Sequence, residues 1–165
     1  MSDKLQQVIK KQQTQKNPDE NENIDEILQL VGFVVGDEEY AIPILSIQEI
    51  IKPIEYTRVP RTPGYVLGVF NLRGSVIPLI DLRLKFETGE TRQSDDMRYI
   101  VLKDGDEIAG FVIDRLNQAI RINKKFVGPA PETSTQEKSL IEGVGKQNDK
   151  IITILKVNKL LQRDF

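Results

Sequence analysis

Apolar residues in this chain fall in short runs divided by turn-forming residues, a rhythm of strands rather than long helices. Leu28–Val35 is mostly apolar and rich in Val, and Gly36-Asp37-Glu38-Glu39 turns the chain into a second strand at Tyr40–Ile42. Pro43 marks the end or an edge of that strand. Ile44–Ile51 is ambiguous: Ile44, Ile47 and Ile51 fit helical spacing, whereas Leu45, Ile47 and Ile51 with Glu49 between also permit a strand. Pro53, Pro60 and Pro63 impose an extended loop, and Thr62-Pro63-Gly64 has the residues to open a short helical turn. Val66–Leu72 and Val76–Ile80 are joined by Arg73-Gly74-Ser75, where the glycine supplies the positive φ of a tight hairpin. Asp81 then stands where it would cap a helical turn through Leu82, Leu84 and Phe86.

After a polar loop, Glu87–Asp96, the runs Tyr99–Leu102 and Ile108–Ile113 flank Asp104-Gly105, a strong hairpin signal. Gln118–Ile122 alternates and predicts another strand. Lys124–Glu132 contains Pro129 and Pro131 and cannot be a regular central strand. Thr133–Lys138 is a polar loop. A last hairpin starts at Val144, turns at Gln147-Asn148-Asp149 and returns through Ile151–Leu155, and Val157, Leu160 and Leu161 are spaced for a terminal helix. The total is roughly nine or ten short strands joined mostly by hairpins, which favours small barrels or a sandwich over a doubly wound parallel sheet.

Composition narrows the function classes. The chain has 165 residues, 39% hydrophobic and 29% charged, with a net charge of −2 and basic residues interleaved with acids. That argues against nucleic acid, whose phosphates need a concentrated positive field. There is no Cys, hence no disulfide framework or thiolate metal site. There is no His, which removes the commonest general base and metal ligand. No apolar run approaches the roughly 18 residues of a membrane span, and the N-terminus lacks a signal-peptide core, so a cytoplasmic protein is expected. Residues 1–26 are rich in Gln, Lys, Asn and acids, and before Pro18 only Leu5, Val8 and Ile9 form an apolar cluster. A flexible leader before a folded domain at 27–165 is therefore expected, the alternative being a short helix that docks on a partner.

Candidate chemistry is sparse. Gly143-Val144-Gly145-Lys146 fails as a phosphate loop, because Gln147 follows the lysine and the earlier glycine of that motif is missing. Asp95, Asp96, Asp104 and Asp106 lack the spacing of a calcium loop and read as solvated turn acids. Asp81 and Asp114 each end an apolar strand; paired acids in a cleft are conceivable, but capping the following turn is the simpler use. Glu49, set among isoleucines, is either the solvent side of an amphipathic segment or a partly buried charge with a partner, and burial statistics favour the exposed reading. Val69 and Leu72 near the turn glycine are ordinary core or the lining of a groove for a partner segment. The residues by themselves describe a β-rich binding protein without visible catalytic equipment. The competing classes are a carboxylate- or metal-dependent β-barrel enzyme and a nucleic-acid-binding barrel.

The stretches GDEEYAIPILSIQEI (Gly36–Ile50) and TPGYVLGVFNLRGSVIPLIDLRLKF (Thr62–Phe86) resemble the CheW family of bacterial chemotaxis coupling proteins. AGFVIDRL (Ala109–Leu116), APETS (Ala130–Ser134) and GVGKQNDKIITILKVNKLL (Gly143–Leu161) continue the resemblance in order. The resemblance implies a mainly all-β fold of two small five-stranded SH3-like barrels over a shared apolar interface, with a short C-terminal helix. It implies a non-enzymatic adaptor, without cofactor or metal, that links the cytoplasmic tips of methyl-accepting chemoreceptors to the regulatory domain of the histidine kinase CheA, at arrays on the inner face of the membrane. Neither nucleic acid nor direct membrane insertion is implied. By position, Glu49 and Arg73 match an ion pair beside the receptor groove, and Ile44, Ile47, Gly68 and Leu72 match apolar or small positions around it. Pro43 is a departure that stiffens the entry to Ile44.

Overall fold

The computed structural model describes residues 26–88, 93–130 and 138–162. The apolar runs become strands almost one for one: β1 (Ile27–Val35), β2 (Glu38–Pro43), β3 (Ile47–Ile51), β4 (Val66–Leu72), β5 (Ser75–Asp81), β6 (Arg98–Asp104), β7 (Glu107–Ile113), β8 (Arg115–Asn123), β9 (Val127–Gly128), β10 (Ile141–Gln147) and β11 (Lys150–Leu155). Two helices of one turn follow strands, α1 (Leu82–Lys85) directly after β5 and α2 (Val157–Leu160) one residue after β11. The strands form a six-stranded sheet, β8-β1-β2-β11-β10-β9, and a five-stranded sheet, β3-β6-β7-β5-β4. The two β units expected are present; the sixth strand of the first is the two-residue β9, at its edge.

Both sheets are built alike. In each, two antiparallel hairpins are joined along their inner strands by a parallel pairing: β2 with β11 in one, β5 with β7 in the other. A tight turn makes each hairpin; the parallel contacts are long-range and have no local sequence signal.

Three apolar clusters explain the near-continuous apolar runs. One fills the five-stranded unit with Phe70, Ile77, Leu79, Tyr99, Val101 and Val112. One fills the six-stranded unit with Leu30, Ala41, Ile120, Ile122, Ile152 and Ile154. The third lies between the units and draws on both, including Phe33, Tyr40 and Leu155 from one and Ile80, Ile100, Phe111 and Ile113 from the other. Strands shared by an interior and this interface are buried on both faces, so Tyr99 and Val101 of β6 point into the barrel while Ile100 and Leu102 point to the other unit. The terminal helix docks Val157, Leu160 and Leu161 into the interface, with Asn158 and Lys159 exposed.

Some expectations change. Ile44–Ser46 is a single 3₁₀ turn, entered from Pro43, and Ile47 onward is strand, so both readings of Ile44–Ile51 held for part of it. Thr62-Pro63-Gly64 does not open a helix. The Thr62 hydroxyl donates to the Val59 carbonyl at 3.0 Å and Val66 N–H to the Pro63 carbonyl at 2.9 Å, a turn that feeds straight into β4. Lys124–Phe126 is a 3₁₀ turn before β9. Gly143 and Gly145 lie within β10, where a Cβ would meet Val127 and Ile122, so their smallness admits the neighbouring chain. The expected leader, residues 89–92 of the polar loop and most of Thr133–Lys138 lie outside the described residues.

Candidate functional site

The β4–β5 hairpin turns on two residues, Arg73 and Gly74, with Leu72 opposite Ser75. Both adopt positive φ, 52° and 89°. Such a turn matches the twist of the flanking strands, and Asn, Asp or Gly usually occupies it. An arginine there is uncommon. The Asn71 side-chain oxygen accepts a hydrogen bond from Gly74 N–H at 2.9 Å, fastening the turn from outside the ladder.

Glu49 reaches the same place from β3. Its carboxylate takes two hydrogen bonds from Arg73, Nη2 to Oε1 at 2.9 Å and Nε to Oε2 at 3.3 Å. The contact holds the guanidinium above its usual range, first through the hydrogen bond and then through the opposite charge. Arg73 is 78% exposed and Glu49 24%. The expectation that Glu49 simply faces solvent is therefore corrected: it is a partly buried acid with a partner. The cause is a bulge. Ile47 faces Leu102 and Glu49 faces Val101, with a register shift between them. Ile47 and Ile50 thereby pack on the interface between units, while Glu49 shares the barrel-side face with Ile51.

β3 and β4 are the two free edges of the five-stranded sheet. The Glu49–Arg73 pair spans the seam between them. Farther along, Thr57 and Val69 exchange two backbone hydrogen bonds of 2.7 and 2.8 Å, so the loop after β3 seals the rest of the seam. Gly68 lies under that crossing: a Cβ would fall on the Thr57 carbonyl, and the backbone there has a positive φ. Gly68 is thus a seam residue, required for close approach.

Of the other residues singled out by sequence, Leu72 is half-buried against the barrel interior and Ile47 against the interface, so these two serve different clusters. Ile44 is exposed in the 3₁₀ turn. Its neighbour Leu45, which no sequence signal set apart, is 96% exposed. Asn71 and Thr57 were also missed; Asn in a turn, with its habit of bonding nearby backbone, was the only local clue.

The acids sort differently. Asp81 caps α1, accepting from Arg83 N–H at 2.9 Å, as expected. Asp114 does not cap the turn that follows it. It accepts Gly36 N–H at 2.6 Å and pairs with Arg83, tying α1 of one unit to the β1–β2 turn of the other. Asp95, Asp96, Asp104 and Asp106 are exposed, and among the described residues no three His, Cys, Asp or Glu come together as metal ligands. At the end of the five-stranded unit away from Arg73, a cleft of ≈ 850 Å³ is lined by Leu67, Met97, Val112, Tyr56 and Tyr99. Burial pushes the Tyr99 phenol above its ordinary value, with smaller contributions from Tyr56 and Asp81, and its hydroxyl donates to the Ile54 carbonyl at 3.2 Å. Among the described residues no helix is long and apolar enough to cross a membrane.

This arrangement has recognisable relatives. The family model described as CheW-like domain matches residues 29–165. "Chemotaxis protein CheW" of Helicobacter pylori (strain ATCC 700392 / 26695) is 53% identical over 165 residues, covering 100% of both chains. "Chemotaxis protein CheW" of Bacillus subtilis (strain 168) is 32% identical over 136 residues, 82% of this chain and 87% of that one. Among solved structures, the scaffolding protein TtCheW from Thermoanaerobacter tengcongensis superposes with a TM-score of 0.78 at 32% identity, covering 84% of this chain and 90% of its own. The two-sheet β fold and a match across nearly all of the chain place it in the CheW family, as a chemotaxis adaptor.

Proposed function

We propose that this chain couples the cytoplasmic tips of chemoreceptors to the chemotaxis histidine kinase CheA, and that the seam of its five-stranded unit is the receptor-side contact. The observation that carries the reading is the Glu49–Arg73 ion pair, held at an edge where Arg73 is largely exposed. Ile44, on the turn entering β3, is exposed apolar surface, and Leu72, next to Arg73 in the chain, keeps part of its side chain at the surface. An apolar face with a fixed ion pair suits the side of an amphipathic helix, with Ile47 and Gly68 shaping the ground beneath. In this role the protein is a non-enzymatic scaffold without cofactor, acting at receptor arrays on the inner face of the membrane. The kinase's regulatory domain takes loops and strand ends elsewhere. The division into a leader, 1–26, and a coupling domain, 27–165, belongs to the same proposal.

Reconstitution tests it. Receptor cytoplasmic fragments, CheA and this protein are combined, and kinase activity and co-sedimentation are read. The expected outcome is a ternary complex with altered kinase activity, lost with Arg73→Glu although the variant melts like the parent. Unchanged kinase activity without a complex overturns the coupling role. An Arg73→Glu variant that unfolds assigns the arginine to structure instead.

A further inference from the structure

Arg73 occupies backbone that arginine seldom adopts, and local strain of this kind persists only where its surroundings hold it. Two partners do so. Glu49 takes the guanidinium, and Asn71 takes Gly74 N–H at 2.9 Å. The second bond is the informative one. Leu72 and Ser75 close the ladder at the turn. Gly74 N–H lies beyond that last rung, and the Asn71 side chain captures it. The bond locks the residue after Arg73, and hence the direction in which the Arg73 side chain leaves the turn.

We infer that Asn71 is the positioning residue for Arg73: its side-chain oxygen holds the two-residue turn in the left-handed geometry that aims the guanidinium across the seam at Glu49. Asn71 itself is exposed and packs into none of the apolar clusters. Its bond is to the turn backbone, so the effect it exerts runs through the turn. Without that bond the turn samples other conformations, and the arginine loses the fixed two-point contact that makes it a rigid docking element. An acceptor of the same reach, as in aspartate, serves the backbone equally well, whereas alanine does not. The consequence for binding rests on the receptor-side reading of this seam; the consequence for Arg73 itself does not.

The test separates the two. Nitrogen-15 relaxation of the Arg73 Nε–H reports the order of the guanidinium in the full-length protein, without any partner. It is measured for the parent, Asn71→Ala and Asn71→Asp, with thermal melts alongside. The expected result is an ordered Arg73 Nε–H in the parent and Asn71→Asp, and a disordered one in Asn71→Ala at nearly the parent's Tm. Binding to a receptor cytoplasmic fragment then falls in Asn71→Ala by about the factor seen for Arg73→Ala. The double variant binds no more weakly than Arg73→Ala alone, because both changes remove one unit. An Asn71→Ala protein with an ordered Arg73 Nε–H overturns the inference. If Arg73→Ala binds receptor as the parent does, the receptor-side reading fails, while loss of Arg73 order in Asn71→Ala still upholds the positioning role.

Discussion

Arg73 shows what a single residue trades. Its left-handed backbone suits glycine, so Arg73→Gly relieves strain while discarding the ion pair with Glu49. A mostly exposed pair adds little to folding. On the proposed receptor-side reading of this seam, the expected outcome is an unchanged or slightly raised Tm by calorimetry together with lost receptor coupling. Gly68 is the opposite case. Any side chain there runs into the Thr57 backbone, so Gly68→Ala should cost about 1–3 kcal/mol in urea unfolding and loosen the Thr57–Val69 bridge. At this scale the sequence was partly legible. The turn at Gly74 and the cap at Asp81 follow from local chemistry, which needs only neighbouring residues. The partner of Glu49 lies 24 positions away and could not be read from its isoleucine neighbours; its matching to Arg73 came from the family resemblance alone.

At the level of elements, the hairpins followed from their turns, while the bulges and the tie between units did not. The register shift between Ile47 and Glu49 sends one to the interface and the other to the barrel side, and simple alternation cannot foretell it. The same kind of shift between Val66 and Gly68 divides β4 between the interface and the barrel interior. Asp114 is the element-scale hinge pin: it joins α1, through Arg83, to the β1–β2 turn, through Gly36 N–H. Both side chains of that pair are mostly buried. Removing the acid leaves a buried guanidinium and a backbone donor without this acceptor. Asp114→Ala should therefore cost about 3 kcal/mol or more in denaturant unfolding, against about 1 kcal/mol for the exposed-loop change Asp106→Ala at most.

For the whole molecule, the interface cluster joins the two small units with buried side chains from both sheets. Phe111 is fully buried in it, and Phe111→Ala should cost about 3–5 kcal/mol. Because that cluster draws on both sheets, circular dichroism and tyrosine fluorescence should report one coincident transition rather than two. High pH gives a second global test. Tyr99 is held protonated in the fold above the ordinary tyrosine value of about 10. The unfolded chain then gives up its proton first, so stability is full below about pH 10 and falls as pH rises through the folded value. Thermal melts from pH 8 to 11 should show this decline, and Tyr99→Phe should flatten it. By itself the sequence determined most of the strands, the tight turns and the absence of histidine and thiol chemistry, because each depends on composition or on residues a few positions apart. Only the tertiary structure decided the parallel joins between hairpins, the bulges that assign each face and the seam where Glu49 meets Arg73. These are contacts between residues far apart in the chain, whose pairing is selected by how two curved sheets bury their apolar faces together, and no local pattern records that choice.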